Sequence, residues 1–205
     1  MRTLVIDTAT AACSVALIDG GRVVARRYEE VGRGHAERLL PMIAELPDGG
    51  RADVVLVDCG PGSFTGVRVG LAAARALGLG WDVPVTGYSS LVLVAAQALA
   101  ARADLGRVAA VLEGGHGEVF ARSYDRELEP VDSMASLKPD DAVAAFRGVA
   151  LAGSGVHRLL AVAPDLDAVP LLPDAGEAWR LPLPSRGLAP RPLYGRAPDA
   201  KTKGA

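Results

Sequence analysis

The sequence predicts an α/β protein, because short apolar runs of strand length alternate with longer segments whose apolar residues recur at helical spacing. Half of the 205 residues are apolar but only 4% are aromatic, so Val, Leu and Ala must fill most of the core. A chain of this length can bury one or two small cores. The net charge of −2 provides no general attraction to nucleic acid.

The first thirty residues contain three apolar runs. Asp19-Gly20-Gly21, between the second and third runs, is typical of a hairpin turn. From His35 the period changes, since Leu39, Met42 and Ile43 fall on one helical face. Three strands followed by a helix are therefore expected.

Two further pairs of strand and helix follow. Strands are predicted at 53–58 and 83–86, and helices at about 64–79 and from Ser89 or Ser90 to about Arg102. Three strands, helix, strand, helix, strand, helix is the element order of the ribonuclease-H-like half of the actin-like (ASKHA) fold. We therefore predict a full N-terminal lobe over residues 1–103.

A second and weaker round of the same pattern begins near Arg107, and we assign residues 104–172 to a reduced second lobe. This lobe is too small to close a nucleotide cleft in the way that two full actin-like lobes do. Eight of the fourteen prolines lie between Pro164 and Pro198. Residues 173–205 are therefore expected to be extended and laid on the surface.

The segment Gly60-Pro61-Gly62-Ser63-Phe64-Thr65-Gly66-Val67-Arg68-Val69-Gly70 directly follows a predicted strand and opens a helix. Backbone N–H groups and small hydroxyls at a helix N-terminus can bind an anion. The alternative is a tight turn in which a hydroxyl caps the helix. The segment is not a Walker loop, because no Lys-Ser/Thr pair follows the glycines.

A second phosphate-type loop is predicted where the first strand ends. It would need a further carboxylate, which Asp58 can supply; the alternative is that Asp7 and Thr10 only satisfy backbone groups of a hairpin. The candidate residues of the two loops are Asp7, Thr8, Thr10, Gly60, Gly62, Ser63 and Thr65.

Small residues recur every four positions in the helix that follows the glycine-rich segment. Each interior glycine costs about 1 kcal/mol against alanine, and close approach of another helix can offset this cost. The alternative is that this ridge packs on the protein's own sheet. We expect this helix and the helix over 37–46 to form one interaction surface. The predicted interface residues are Leu39, Met42, Ile43, Gly66, Gly70, Ala74 and Gly78.

No catalytic or metal-binding group is predicted. The three histidines, His35, His116 and His157, lie on separate elements without paired spacing. Cys13 and Cys59 fit reduced core residues, and neither a Gly-x-Ser-x-Gly elbow nor a histidine partner for a nucleophile is visible. The early acidic residue and the absence of a long apolar run predict a cytoplasmic protein without a signal peptide.

Three motifs in order resemble the TsaB (YeaZ) family, the accessory subunits of bacterial tRNA threonylcarbamoyladenosine synthesis. The motifs are Asp7-Thr8-Ala9-Thr10-Ala11-Ala12-Cys13-Ser14-Val15-Ala16-Leu17, Gly34-His35-Ala36-Glu37-Arg38-Leu39-Leu40-Pro41-Met42-Ile43 and the segment 60–70. The resemblance is dense over residues 1 to about 100. It implies a non-catalytic scaffold that binds TsaD and, through that pair, the ATPase TsaE. The two helices named above would pair with TsaD or with a second copy, while TsaD would transfer the threonylcarbamoyl group to the adenosine beside the tRNA anticodon.

The sister family TsaD carries a helix that resembles Val-Asn-His-Leu-Glu-Gly-His, with two histidines gripping a catalytic metal. The matching stretch here is Tyr88-Ser89-Ser90-Leu91-Val92-Leu93-Val94, so Ser90 and Val94 stand at the ligand positions. No metal and no cofactor are therefore expected. An actin-like phosphotransferase or nucleotide-binding protein, using Asp7, Thr8 and residues 60–65, is the alternative. A protease, the historical label of this superfamily, lacks both a metal pair and a nucleophile elbow here.

One segment departs from the family pattern, and the tail is unusually basic. The second-lobe hairpin reads Leu112-Glu113-Gly114-Gly115-His116-Gly117-Glu118-Val119-Phe120, without the arginine of the family's Asp-Ala-Arg-x-Gly-Glu-Val-Tyr. From position 180 onward six cations face one acidic residue, Asp199. This tail either contacts tRNA phosphates in the complex or remains solvated. The six cations are Arg180, Arg186, Arg191, Arg196, Lys201 and Lys203.

Overall fold

Two five-stranded sheets form the framework of the computed structural model, which describes residues 1–193. The first sheet has the order β3-β2-β1-β4-β5; the first three strands are antiparallel, and β1, β4 and β5 are parallel. The hairpin between β2 and β3 turns at Gly20 and Gly21, both with positive φ, as its sequence predicts. The strands are β1 (Arg2–Asp7), β2 (Ala12–Asp19), β3 (Arg22–Glu30), β4 (Val54–Asp58) and β5 (Val85–Tyr88).

Helices cover both faces of this sheet. Helices α1 (His35–Ala44) and α2 (Phe64–Trp81) pack on one face, and α3 (Ser90–Ala101) packs on the other. Ser63 caps α2 by accepting the Gly66 N–H, which confirms the N-cap prediction. Within residues 1–193, no helix is both long enough and apolar enough to cross a lipid bilayer.

The second sheet repeats the topology of the first, and most of its strands are shorter. Its order is β8-β7-β6-β9-β10, with β6, β7 and β8 antiparallel and β6, β9 and β10 parallel. Two sheets of the same connectivity, the second one reduced, confirm the predicted actin-like, ribonuclease-H-like fold. The elements are β6 (Arg107–Glu113), β7 (Val119–Asp125), β8 (Ala135–Leu137), α4 (Pro139–Ala145), β9 (Ala150–Ala152), α5 (Val156–Leu160) and β10 (Ala168–Val169).

Helix α3 lies between the two sheets and is buried against both. Its apolar residues, including Leu93 and Val94, share one core with Val5 of the first sheet and with Val108 and Leu112 of the second. A helix that is apolar around most of its circumference is typical of such a central position. The two lobes therefore share a hydrophobic core.

The segment from Asp174 to Leu193, here called the strap, is more firmly packed than the sequence suggests. Its first part forms the 3-10 helix Ala175–Arg180, and a second 3-10 turn spans Leu183–Arg186. Ala175, Ala178 and Leu181 are buried. Their spacing of three matches the three-residue repeat of a 3-10 helix, so they lie on one face. The expectation of a wholly extended surface segment is therefore wrong for this part of the chain.

The strap returns to the first sheet and ends beside β4. Leu188 forms an isolated bridge with Gly87 of β5, and the Leu193 N–H donates to the Cys59 carbonyl at 2.8 Å. The strap thus covers the β5 edge of the sheet. The last three predicted tail cations, Arg196, Lys201 and Lys203, lie outside the described residues.

Candidate functional site

The two phosphate-type loops lie together at the carboxyl ends of β1 and β4. The Ser63 N–H donates to the Ala9 carbonyl at 2.7 Å. A Cβ added at Gly62 would overlap the Ala9 carbonyl, and one added at Gly66 would overlap the Thr8 carbonyl. The loops are therefore in direct backbone contact, at the place where a phosphate-binding site would need open space.

Two carboxyl groups, Asp7 and Asp58, are completely buried beneath these loops. Asp58 accepts from the Thr8 N–H at 2.9 Å and the Gly60 N–H at 3.0 Å, with the Ser90 hydroxyl at 3.3 Å. Its two oxygens therefore serve to tie β1, the glycine-rich loop and α3 together. A carboxylate engaged in this way has little capacity left to bind a metal or a phosphorylated substrate.

Asp7 has different partners. It accepts from the Tyr88 hydroxyl at 2.9 Å and from the Ala9 N–H at 3.2 Å. Burial, followed by the negative charge of Asp58, raises the pKa of Asp7 well above its usual range. Burial also raises the pKa of Asp58 to about 6, although the hydrogen bonds from Thr8, Gly60 and Ser90 act in the opposite direction. Burial therefore disfavours the charged form of both carboxyl groups, and Asp58 is the one with more hydrogen-bond donors.

Thr10 and Thr65 complete the predicted loop residues. The Thr10 hydroxyl accepts from the Ala12 N–H at 3.3 Å, which is the local backbone role that the sequence left as an alternative. Thr65 is exposed in the first turn of α2. Neither side chain points to a separate ligand site.

The two positions that the sequence analysis matched to metal-binding histidines hold a serine and a valine, both buried. Ser90 is buried and bonded to Asp58, and Val94 is buried in the core. His35 is buried with its Nε2 atom 3.2 Å from the Ala12 carbonyl, while the His157 Nδ1 atom lies 2.8 Å from the Ser154 carbonyl. Among residues 1–193, no three histidine, cysteine or carboxylate side chains are grouped so as to hold a metal ion.

Both cysteines are buried free thiols. Burial raises the pKa of Cys13 and of Cys59 to about 11. Since the thiolate is the nucleophile, neither sulfur is activated for attack. Their placement agrees with the core role expected from the sequence.

The seven predicted interface residues are buried in the protein's own core, which corrects the prediction that they contact a partner. Leu39, Met42 and Ile43 face the first sheet from α1, and the ridge of α2 faces the same sheet. A Cβ at Gly70 would overlap the Thr8 hydroxyl, and one at Gly78 would overlap the Val85 side chain. The missing side chains therefore let α2 approach β1 and β5, and the alternative of packing on the own sheet is correct. The affected positions are Leu39, Met42, Ile43, Gly66, Gly70, Ala74 and Gly78.

The opposite sides of the same two helices are exposed and carry several apolar side chains, with Arg68 stacked on the Phe64 ring and Arg75 between them. In α2, Phe64 is 65% exposed and Leu79 is 86% exposed, and in α1 Leu40 is 54% exposed. We call this surface the outer helical face. It consists of Ala36, Leu40, Ala44, Phe64, Ala72, Ala76 and Leu79, all of them exposed.

A signal in the sequence could have located this face. Ala36, Leu40 and Ala44 recur every four residues, as do Ala72 and Ala76. In α2 these positions are two residues away from the glycine ridge, which is about 200° around a helix with 3.6 residues per turn. A ridge that packs inward thus implies an outward row, which here reads Phe64, Arg68, Ala72 and Ala76.

In the second lobe, a guanidinium reaches the glycine-rich hairpin from another element. Arg158 of α5 donates to Glu113 at 2.9 Å, and the His157 Nε2 atom lies 3.4 Å from the same carboxylate. The Ser154 hydroxyl accepts the Glu113 N–H at 3.1 Å. The hairpin is therefore anchored to α5 although it lacks the arginine of the family motif.

This architecture has counterparts among known proteins. The family model described as "TsaD: tRNA N6-adenosine threonylcarbamoyltransferase" matches residues 27–157. The "tRNA threonylcarbamoyladenosine biosynthesis protein TsaB" of Escherichia coli is 38% identical over 149 residues, which span 68% of this chain and 64% of that protein. An uncharacterized protein of Mycobacterium tuberculosis is 34% identical over 97% of this chain and 93% of its own length.

A solved structure matches nearly the whole chain. YeaZ from Pseudomonas aeruginosa superimposes with a TM-score of 0.79 at 30% identity, over 94% of this chain and 99% of that chain. The likeness covers both lobes, and so extends beyond the N-terminal motifs that carry the sequence resemblance. Together with the family-model match and the TsaB relatives, it shows that the chain belongs to the TsaB (YeaZ) family.

Proposed function

We propose that this protein is a non-catalytic subunit of the machinery that makes threonylcarbamoyladenosine in tRNA, and that it binds TsaD through the outer helical face. TsaE would join through the TsaB–TsaD pair, and the chemistry would belong to TsaD. The observation that carries the proposal is the group of exposed apolar side chains, Leu40, Phe64 and Leu79, on two adjacent helices whose inner sides already have a complete core. Contiguous exposed apolar surface on a soluble protein is typical of an interaction site.

The closed loops support the absence of catalysis. The positions that would hold a phosphate are filled by backbone contacts between residues 8–9 and 62–66. Both oxygens of Asp58 accept hydrogen bonds from N–H groups within the protein. The alternative, an actin-like phosphotransferase, would need these loops to separate and the buried carboxyl groups to become accessible.

Charged substitutions on the outer helical face test the proposal. Leu40→Glu on α1 and Ala76→Glu on α2 each place a carboxylate on the outer helical face at an exposed position. Each is expected to weaken binding to the cognate TsaD by more than about tenfold in isothermal titration, because a desolvated, unpaired charge is costly. Leu183→Glu is the matched control, since Leu183 is equally apolar and 81% exposed but lies on the strap.

An unfolded variant would also lose TsaD binding, so the melting temperature of each variant is compared with that of the wild type. Normal TsaD binding by both helix variants would contradict the proposed surface. A separate titration with ATP and magnesium tests the alternative function. Stoichiometric nucleotide binding by the isolated chain would favour the phosphotransferase hypothesis over a scaffold.

A further inference from the structure

A cavity of about 240 Å³ opens where the two lobes and the strap meet. Helix α3 forms one wall, the turn between β7 and β8 forms a second, and the first 3-10 helix of the strap forms the third. Ligands bind preferentially in clefts between separate structural units. Among residues 1–193, the cavity is lined by Ala96, Leu99, Ala100, Arg126, Leu128 and Arg180.

The buried part of this lining is apolar and firmly held. Leu99 and Leu128 are 5% and 8% exposed, and both belong to the shared core around α3. Leu128 has a φ of 65°, in the left-handed region that leucine rarely adopts. The Asp125 carboxylate fixes this turn, because it accepts the N–H groups of Glu127 and Glu129 at 3.1 and 2.8 Å. The turn therefore presents a buried leucine to the cavity in a defined position.

Two guanidinium groups stand at the exposed rim of the cavity. Arg126 donates through one terminal nitrogen to the Leu105 carbonyl at 2.6 Å. Arg180 donates through Nε to Glu177, and its Cζ atom lies 4.4 Å from the middle of the Trp179 ring. Each guanidinium is thus held in place by one internal acceptor. Its other N–H groups make no hydrogen bond to residues 1–193 and can serve a ligand.

This combination suits an anion that carries an apolar body. Guanidinium N–H groups bind carboxylate and phosphate oxygens strongly, because both partners are charged. The apolar body of such a ligand gains by leaving water for the surface of Leu99 and Leu128. None of the six lining side chains is acidic, so an ammonium group on the ligand would have no partner there. The lining therefore favours a simple anion over a zwitterion.

We propose that this cavity binds a small organic anion, a carboxylate or a phosphate monoester, whose charged head lies between Arg126 and Arg180 and whose apolar body packs on α3 and Leu128. The cavity is on the α3 side of the first sheet, whereas the outer helical face is on the opposite side. The binding of this ligand therefore does not depend on the proposed binding of TsaD, and it is tested without TsaD.

Tryptophan fluorescence gives a local measurement, because Trp179 stacks against Arg180. The full chain with Trp81→Phe retains Trp179 as its only tryptophan. Hexanoate and hexyl phosphate are the probes; hexanol lacks the charge and acetate lacks the apolar body. We expect at least one of the two probes to bind saturably, with a dissociation constant at least about tenfold below those of hexanol and acetate. The probe with the lower dissociation constant identifies the head group.

Four variants connect the signal to the cavity. Arg126→Gln and Arg180→Gln each remove one guanidinium, and each should weaken binding about tenfold, because a hydrogen bond between charged groups is lost. Ala100→Phe fills the cavity from its exposed rim and should abolish binding. Arg147→Gln is the matched control, since Arg147 is an exposed arginine just after α4 and should be without effect.

Saturation-transfer NMR measures the same dissociation constants in Arg180→Gln, where the Trp179 signal itself changes. Melting curves verify that each variant is folded. No saturable binding of either probe, equal binding in both cavity arginine variants and the wild type, or full binding by Ala100→Phe would overturn the proposal. Weaker binding in the three cavity variants together with unchanged binding in Arg147→Gln would support it.

Discussion

Gly66 and Gly80 lie in the same helix, yet a methyl group would act in opposite directions at the two positions. At Gly66 a Cβ would overlap the Thr8 carbonyl, whereas at Gly80 it would meet nothing within 4 Å. Helix propensity favours alanine at both sites by about 1 kcal/mol. Tertiary packing therefore decides the sign at Gly66, and propensity decides it at Gly80.

We predict that Gly66→Ala lowers the free energy of unfolding by about 1–3 kcal/mol or more, because backbone must move to admit the methyl group. Gly80→Ala, the control, should raise it by about 0.5–1 kcal/mol. Urea denaturation measures both. A neutral Gly66→Ala would show that α2 can move away from β1 at low cost. Gly70→Leu should be still more disruptive, for the same steric reason.

The buried carboxyl groups give a pH prediction at the residue scale. The folded pKa of Asp7 is raised above its unfolded value, so the folded state holds a proton that the unfolded state releases. The contribution of Asp7 to stability is therefore fully present below pH 3.8 and is lost as the pH rises through its folded pKa. Asp58 acts in the same direction between pH 3.8 and about 6.

Asp7→Asn should thus become more stable relative to the wild type as the pH rises, because the amide cannot ionise and Tyr88 can still donate to the Ile6 carbonyl, 3.2 Å away. Asp58→Asn should be destabilising, since its NH₂ group would face the donors that Asp58 now satisfies. Chemical denaturation of the three proteins from pH 5 to pH 8 provides the comparison. An Asp7→Asn stability difference independent of pH would contradict the raised pKa of Asp7.

At the scale of elements, the strap is held to the first sheet by one polar cluster. Asp174 bonds to Arg26 at 2.6 Å and accepts the Gly176 N–H at 2.8 Å. Ser14 accepts the Ala175 N–H at 2.8 Å. Only 13% of the Asp174 side chain is exposed, so this cluster is shielded more than a surface ion pair.

We predict that Asp174→Ala loosens the strap before it unfolds the lobes. The loss of an N-cap costs about 1 kcal/mol, and local opening of a terminal element exposes it to proteases. Limited proteolysis should cut the variant within residues 174–193 faster than the wild type. Glu177→Ala is the control, because its ion pair with Arg180 lies on the strap itself. Equal cleavage of both variants would place the anchor elsewhere.

At the scale of the whole molecule, the core around α3 joins the two lobes. Leu93 is fully buried in a cluster that contains residues of both sheets and of the strap. Removal of a buried leucine side chain costs about 2–5 kcal/mol. Loss of this side chain is therefore expected to destabilise both lobes.

Leu93→Ala should lower the melting temperature without separating the transitions of the lobes. Both tryptophans, Trp81 and Trp179, lie on the first lobe or the strap, so their fluorescence reports on that side, while far-ultraviolet circular dichroism reports on all helices and strands. The two signals should give one coincident transition in the wild type and in the variant. A lower transition seen by circular dichroism alone would mean that the second lobe unfolds independently.

The sequence by itself determined the elements and the fold, since these depend on local signals. Hydrophobic period, the Ser63 cap and the Gly20-Gly21 turn place the helices and strands of the first lobe within a few residues. The repeated element order then identified an actin-like architecture. The sequence also located the two loops, because each directly follows a strand that ends in an aspartate, Asp7 or Asp58.

Only the tertiary structure decided which side of each helix is free. A ridge of glycines permits close packing against any neighbour, and the spacing alone does not say whether that neighbour is a partner helix or the protein's own β1 and β5. The burial of the strap depends likewise on contacts between residues more than a hundred positions apart, such as Ser14 and Ala175. The closure of the loops follows from the same inward packing of α2, because the missing side chains at Gly62 and Gly66 bring backbone into the space where a phosphate would otherwise bind.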